Sequence, residues 1–138
     1  MPSREAAIAI LDHLQHAQER LYIDGDPEPL RELLTDDIAW HVPGASPIAG
    51  TFRGPDQVIA YMQTRRDLAR GTFRMYRRDV LTGDGETVAA LTDGEAIIDG
   101  IPRTWSTVGV YRLRDGRVVE CWLVPFDQAE FDDIWTPG

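Results

Sequence analysis

His41 is the residue of this chain best suited to acid–base chemistry near neutral pH, because an imidazole titrates in that range. It lies between Trp40 and Val42 and is the only one of the 3 histidines outside the first predicted helix. Two interpretations stay open: the strand turns His41 into a pocket as a general base, or it is an exposed or structurally bonded imidazole. The sequence therefore predicts His41 as the catalytic residue if the protein is an enzyme.

A cluster of arginines is the second feature that could do chemistry. Six of the 14 basic residues fall between Arg65 and Arg78, although the formal net charge of the chain is −9. They form either a local anion site, for a carboxylate or a thioester cofactor's phosphates, or solvated side chains paired with the surplus acids. Lysine is absent, which excludes Schiff-base and P-loop chemistry, and the absence of asparagine removes one common oxyanion donor. The acidic balance argues against nucleic acid or an anionic membrane as partner.

The first half of the chain is predicted to form three helices. The first runs from Ser3 to about Ile23, the second from Glu28 to about Leu34, and the third begins at Gly54-Pro55-Asp56. Gln18 lies inside the apolar stripe of the first helix, where its amide either finds a partner in the core or lines a cavity. His13 and His16 point away from that stripe with no third ligand nearby, so no metal site is expected.

The second half, from about Thr72 to Pro125, is predicted as four antiparallel strands. They cover approximately residues 72–81, 87–98, 101–113 and 117–124, with strong hairpin signals at Asp99-Gly100 and Asp115-Gly116. A further strand precedes the third helix, from Asp36 to Val42. The predicted fold class is α+β, with three N-terminal helices packed on a strongly curved, mostly antiparallel sheet.

Hairpin register decides which side chains face the helices. A two-residue turn at the first hairpin sets Gly94 opposite Trp105. At the second hairpin, a three-residue loop pairs Gly109 with Cys121, whereas a two-residue loop pairs Val110 with Cys121 and reverses every side chain. In the register with the three-residue loop, small residues on one sheet face leave room for a ligand. The residues predicted to line this cavity are Gln18, Trp40, Trp105, Thr107, Tyr111 and Cys121.

The opposite sheet face is half apolar and is predicted to form a homodimer interface. It carries Val108, Val110, Trp122 and Val124. Asp93 and Glu95 also point outward in this register. A shifted register would instead place these two acids in the pocket as a carboxylate pair.

Length and composition indicate the number of domains and the cellular compartment. Residues 1–138 are expected to form one domain, and 43% of them are apolar. Cys121 is the only cysteine, which agrees with a reducing compartment. No apolar run is long enough to cross a bilayer and no signal peptide is recognised, so a cytoplasmic location is expected.

These elements together resemble the nuclear transport factor 2-like superfamily, and more closely its SnoaL-like, ketosteroid-isomerase-like branch. The resemblance covers nearly the whole chain and implies a cone-shaped α+β barrel, a homodimer and a deep apolar pocket for a small molecule, without a cofactor. The segments that carry it are Gly25-Asp26, Leu34-Thr35-Asp36-Asp37, Trp40 to Gly44, Ala49 to Gly54, Val110 to Val118 and Glu120-Cys121-Trp122.

The departures from that family concern its catalytic groups. Where the resemblance implies the isomerase base the chain has Val42, and where it implies a protonated acid the chain has Gly109. Gln18 stands at the position of the oxyanion tyrosine. Valine and glycine can neither move a proton nor stabilise an enolate. Activity toward a 3-oxo-Δ5-steroid is therefore not expected.

Two functions remain from the sequence. One is a cofactor-independent isomerase, cyclase or dehydratase acting on a ring or polyketide-like substrate, with His41 as base and with Gln18 and Tyr111 as polar orienting groups. The other is a non-catalytic binding or accessory protein that uses the same pocket.

Overall fold

The computed structural model describes residues 4–82 and 86–137, which form four helices and six strands. The helices are α1 (Arg4–Asp24), α2 (Glu28–Leu33), α3 (Pro55–Ala69) and α4 (Gln128–Ile134). The strands are β1 (Leu34–Val42), β2 (Gly50–Arg53), β3 (Arg74–Thr82), β4 (Thr87–Ile98), β5 (Ile101–Arg114) and β6 (Arg117–Pro125). Among the described helices, none is long and apolar enough to cross a membrane.

The six strands form a single sheet in the order β2-β1-β6-β5-β4-β3. All neighbouring strands are antiparallel except β1 and β6, which run parallel. The helices α1 and α3 pack against each other and against the sheet. The predicted α+β class and the mostly antiparallel sheet are confirmed, and the sheet is open because β2 and β3 are its two edges.

The first hairpin forms as predicted. Asp99 and Gly100 have φ angles of 54° and 75°, which is the left-handed pair that a two-residue type I′ turn requires. Ile98 therefore pairs with Ile101, and Gly94 lies opposite Trp105.

The second hairpin has a different turn from the one predicted, but its side chains keep the predicted orientation. Its turn has two residues, with Arg114 paired to Arg117, and not the three residues that the favourable register assumed. A β-bulge at Val119 then shifts the pairing by one residue, because Leu113 pairs with Val118 and Arg112 with Glu120. As a result Tyr111 lies opposite Cys121, so both predicted partners of Cys121, Gly109 and Val110, are wrong. The odd-numbered side chains of β5 still keep the inward orientation that was expected.

Helix α1 buries the predicted stripe, with Gln18 on its buried side. His13 and His16 are exposed, as expected from their position on the helix. Two elements were not predicted. The edge strand β2 pairs with β1 through four residues, and α4 lies after the sheet.

The short helix α4 covers one end of the core. Asp127 caps it by accepting a hydrogen bond from the Glu130 backbone N–H at 3.0 Å. Phe131, Ile134 and the neighbouring Trp135 are fully buried. The Trp135 ring contacts the rings of Phe73, Trp105 and Phe131 at centroid distances of 5.9, 5.2 and 6.4 Å.

The convex face of the sheet stays partly uncovered. Val108, Val110 and Trp122 are half-buried, and Val124 is exposed. Leu91 and Ala89 of β4 pair with Val108 and Val110 and extend the same apolar surface.

Candidate functional site

A cavity of about 60 Å³ lies between the concave sheet face and the helices α1 and α3. Of the six residues predicted to line it, five do so: Gln18, Trp40, Trp105, Thr107 and Tyr111. Cys121 lies on the same side of the sheet, opposite Tyr111, but is completely buried and does not reach the cavity. The cavity is lined by Leu11, Leu14, Gln15, Gln18, Trp40, Tyr61, Arg65, Phe73, Met75, Arg77, Ala90, Thr92, Gly94, Trp105, Thr107, Gly109, Tyr111 and Leu123.

Two glycines of the sheet make room for aromatic rings and leave little free space. A side chain at Gly94 would meet the indole of Trp105 at 2.4 Å, and one at Gly109 would meet the Tyr111 hydroxyl at 2.6 Å. The small residues were expected to leave volume for a ligand. The rings fill much of that volume, because they lie flat over the glycines beside them on the same face.

The polar centre of the cavity is Arg65 of α3, which is only 6% exposed. Its Nη1 donates a hydrogen bond to the Tyr61 hydroxyl at 3.0 Å, and its Nε has no partner among the described residues. No carboxylate of the described chain lies within ion-pair distance of it. Five rings surround its Cζ at centroid distances of 4.6 to 6.0 Å, those of Phe73, Trp135, Tyr61, Tyr22 and Phe131.

The phenols around Arg65 stay protonated at neutral pH. Burial raises the pKa of Tyr22, Tyr61 and Tyr111 above the usual value of a tyrosine, and Arg65 offsets only part of this effect. Burial acts to lower the pKa of Arg65 itself, but Tyr61 and Tyr22 outweigh it and the pKa is raised. The site thus combines one permanent cation with neutral hydroxyl groups that can donate hydrogen bonds.

Further polar groups at the cavity lack partners in the described structure. The Trp40 indole N–H is buried, and the Tyr61 hydroxyl near it is outside full hydrogen-bond geometry. Gln18 is 8% exposed and Thr107 is 6% exposed, and neither side chain hydrogen-bonds to a described residue. Buried polar groups are normally paired, so each unpaired group that faces a cavity marks a place where a ligand or water can bind.

The half-buried lining residues Gln15, Met75 and Arg77 lie where α1 contacts β3, and we infer that the mouth of the cavity is there. Gln15 donates through Nε2 to the Met75 carbonyl oxygen at 3.4 Å, and Arg77 forms an ion pair with Asp12 of α1. The Arg77 Nη1 has no partner among the described residues. Two arginines of the predicted cluster, Arg65 and Arg77, therefore line the cavity, one deep inside and one at the mouth.

His41 does not reach the cavity. It lies on the convex face, where its Nε2 is 2.8 Å from Glu120 Oε2 and its Nδ1 is 3.1 Å from Thr51 Oγ1. Its ring stacks on Trp122 with centroids 5.8 Å apart. His41 therefore does not have the inward position that its predicted role as a base required. Trp40 and Val42 lie on the buried face of β1, and because side chains alternate along a strand, His41 points outward.

Asp93 and Glu95 also lie outside the cavity. Asp93 accepts a hydrogen bond from the Ser106 hydroxyl at 2.6 Å and pairs with Arg78 at 3.0 Å. Glu95 is exposed and accepts from the Tyr76 hydroxyl at 2.8 Å. The shifted register that would have made them a carboxylate pair in the pocket does not occur.

Sequence reasoning missed the contribution of α3 and the following strand. Tyr61, Arg65 and Phe73 line the cavity, and none of them was among the predicted site residues. The arginine cluster carried a signal for Arg65, but the sequence did not show that this arginine faces inward while Arg66 turns to the Tyr22 and Ile23 carbonyls. No group of three or more histidine, cysteine or acidic side chains in the described residues could hold a metal ion.

A family model matches this chain. The model of the SnoaL-like domain matches residues 14–121. An uncharacterized protein of Mycobacterium tuberculosis is 33% identical over 93 residues, which are 67% of this chain and 56% of the relative. The chain thus spans about half the length of the curated relatives that it matches.

Solved structures share the fold. Bal32a, from a soil-derived mobile gene cassette, superposes with a TM-score of 0.83 at 25% identity, covering 94% of this chain and 98% of its own. A nuclear transport factor 2-like protein of Burkholderia xenovorans gives 0.77 at 20% identity, covering 99% and 100%. A putative isomerase of Rhodopseudomonas palustris gives 0.75 at 21% identity, covering 88% and 91%. These likenesses establish the nuclear transport factor 2-like fold.

Proposed function

The chain belongs to the SnoaL-like domain family, and from that premise we propose that it binds one small, flat, largely apolar molecule in its cavity without acid–base catalysis. The observation that carries the proposal is the lining of the cavity. Five of the 18 residues that line it are aromatic, and among the described residues that line it there is no aspartate, glutamate, histidine or cysteine. Proton transfer needs a base within hydrogen-bond reach of the substrate. The tyrosines hold their protons and do not supply that base.

The ligand enters by displacing the side chains at the mouth. A cavity of about 60 Å³ holds a few waters, whereas an apolar cavity of about 150 Å³ accepts benzene. Two contacts bridge α1 and β3 at this point: the Gln15 bond, which is 3.4 Å long, and the ion pair of Arg77 with Asp12, whose side chains are 20% and 56% exposed. Entry of the ligand therefore requires that these two contacts open.

A cofactor-independent isomerase, cyclase or dehydratase is the second candidate. It is favoured by the hydroxyls of Tyr61 and Tyr111 near Arg65, since such donors stabilise an enolate. A similar structure is also named a putative isomerase. Turnover of a ring or polyketide-like substrate by the purified protein separates this candidate from a binding role.

The proposed assembly is a homodimer through the convex face of the sheet. Val124 is 49% exposed there beside the half-buried Trp122 and Val110. A surface of this kind in water favours association. His41 and Glu120 would lie within the interface, where their hydrogen bond serves a structural purpose.

Binding is tested with a panel of flat molecules of increasing size: indole, 2-naphthamide and 2-naphthoate. Trp40 and Trp105 line the cavity, so their fluorescence reports occupancy. The variant Ala90→Val adds two carbons to a side chain that lines the cavity. Its matched control is Ala89→Val, which adds the same atoms to the convex face of the same strand.

The proposal predicts saturable binding of at least one panel member and at least a tenfold weaker affinity for Ala90→Val. The control variant should bind like the unmodified protein. Absence of binding across the whole panel, or equal binding by Ala90→Val, would contradict the proposed function.

A further inference from the structure

We propose that the ligand carries an anionic oxygen, as a carboxylate or an enolate conjugated to its ring, and that this oxygen binds at Arg65. The inference rests on the proposed binding function and assigns the charge of the ligand. No negatively charged group of the described chain approaches the Arg65 guanidinium, which is 6% exposed at the cavity.

A buried charge without a partner is costly. Removing an isolated ion from water into a protein interior costs far more than any single neutral hydrogen bond returns. The Arg65 side chain donates a hydrogen bond to a neutral phenol, Tyr61, and a second neutral phenol, Tyr22, interacts with it. The arrangement therefore leaves a positive potential in the cavity that an anion can neutralise.

The aromatic rings position this charge but do not replace a counterion. The rings of Phe73 and Trp135 lie 4.6 Å from the Arg65 Cζ. Each cation–π contact contributes roughly 0.5–2 kcal/mol. A guanidinium can stack on rings through its flat faces, while its N–H edge stays suited to carboxylate oxygens.

Other unpaired groups at this site can also donate hydrogen bonds. The Trp40 indole N–H can only donate, and the Tyr61 hydroxyl near it is outside full hydrogen-bond geometry. The Tyr111 hydroxyl keeps its proton, because burial raises its pKa well above the usual value. Hydrogen-bond donors without a carboxylate among them favour a ligand atom that accepts hydrogen bonds. The positive charge of Arg65 further favours an acceptor that is negatively charged.

The mouth offers a second positive group along the same path. Arg77 lines the cavity, and one of its nitrogens, Nη1, has no partner in the described structure. Its ion pair with Asp12 holds the mouth closed in this conformation. Asp12 offsets the charge of Arg77 while this ion pair is formed, so Arg65 supplies the uncompensated positive charge of the cavity.

The test compares 2-naphthoate with 2-naphthamide, which have nearly the same shape and differ in charge. We expect the unmodified protein to bind the acid about tenfold or more tightly than the amide, because a hydrogen bond to a charged group contributes about twice as much as a neutral one. Arg65→Met should remove this preference while the amide still binds. Arg65→Lys should retain part of it, and Arg77→Gln should retain most of it.

Each outcome bears on one proposal. Binding of neither compound would contradict the proposed function, and the inference with it. Equal binding of acid and amide by the unmodified protein would overturn the inference and leave the proposed function standing. A preference for the acid that survives Arg65→Met but disappears in Arg77→Gln would also overturn it, since the anion would then bind at the mouth. The comparison on the unmodified protein decides the matter even if Arg65→Met does not fold.

Discussion

At the residue scale, His41 and Arg65 lie where the sequence did not lead us to expect them. His41 has the chemistry of a base but lies on the convex face with Glu120. Arg65 belongs to a run of arginines that could equally be solvated, yet it lies deep in the cavity. The difference comes from position on the element: β1 sends alternate residues to opposite faces, and α3 sends Arg65 inward together with Tyr61, four residues earlier.

The first prediction concerns His41. The unmodified protein and His41→Ala should both lack measurable turnover of a 3-oxo-Δ5-steroid, followed through the absorbance of the conjugated product. A positioned base typically contributes 10²–10⁴ in rate, and no base of the described chain lines the cavity. His41→Ala should also bind the naphthalene panel with unchanged affinity. Turnover that depends on His41 would contradict the placement of the site.

At the element scale, the hairpin of β4 and β5 shapes the cavity by placing rings over glycines. Covering a strand glycine with a neighbouring ring protects its exposed backbone and pins the ring. Gly94 lies under Trp105, and Gly109 lies under Tyr111. The two rings therefore form part of the wall of the cavity.

The second prediction follows from the contact between Gly94 and Trp105. Gly94→Ala should lower the free energy of unfolding by about 1–3 kcal/mol, because the new methyl group would lie 2.4 Å from the indole and must displace it. The measurement is denaturant unfolding of Gly94→Ala alone and in a Trp105→Leu background. The cost should largely vanish in the double variant, since the ring is gone. An equal cost in both backgrounds would show that the strand itself does not tolerate the methyl group.

Most elements were predictable because their signals are local. The Asp99-Gly100 turn needs only the two residues that favour left-handed φ angles, and the stripe of α1 needs only helical spacing. The bulge at Val119 had no such signal, because it is set by pairing with β5 and not by its own sequence. The helix α4 is seven residues long, too short for periodicity to show, and β2 is an exposed edge strand without apolar alternation.

The cavity was predicted in outline from the sheet and from α1. Four of its lining residues could be named because strand alternation fixes their side of the sheet, and Gln18 could be named because helical spacing places it in the buried stripe of α1. The contribution of α3 could not be named, since its approach to the sheet depends on packing between distant segments. Tyr61 and Arg65 reach the cavity only through that packing.

At the scale of the whole molecule, the convex sheet face is a partly apolar surface that the described chain leaves without a cover. Half-buried Val110 and Trp122 and exposed Val124 lie on the middle strands of the sheet. The single chain described here leaves these side chains in contact with water. The proposed homodimer would remove them from it.

The third prediction tests this assembly. Trp122→Glu should yield a monomer by sedimentation at micromolar concentration, because it places a charge in the apolar interface, whereas the unmodified protein should sediment as a dimer. Ile101→Glu is the matched control: Ile101 is 49% exposed at the end of a hairpin and lies away from the convex face. A monomeric unmodified protein, or a dimer that tolerates Trp122→Glu, would contradict the interface.

The parallel pairing of β1 with β6 has a consequence for how the chain reaches this structure. Trp40 pairs with Cys121, so residues about 80 positions apart must meet before the sheet is continuous. During synthesis β1 can pair with β2 at once, but its other edge stays open until nearly all the remaining strands have been made. Pairings over such distances slow folding, because loop closure precedes the gain from contacts. Joining β1 to β6 is therefore expected to be the late step that completes the cavity.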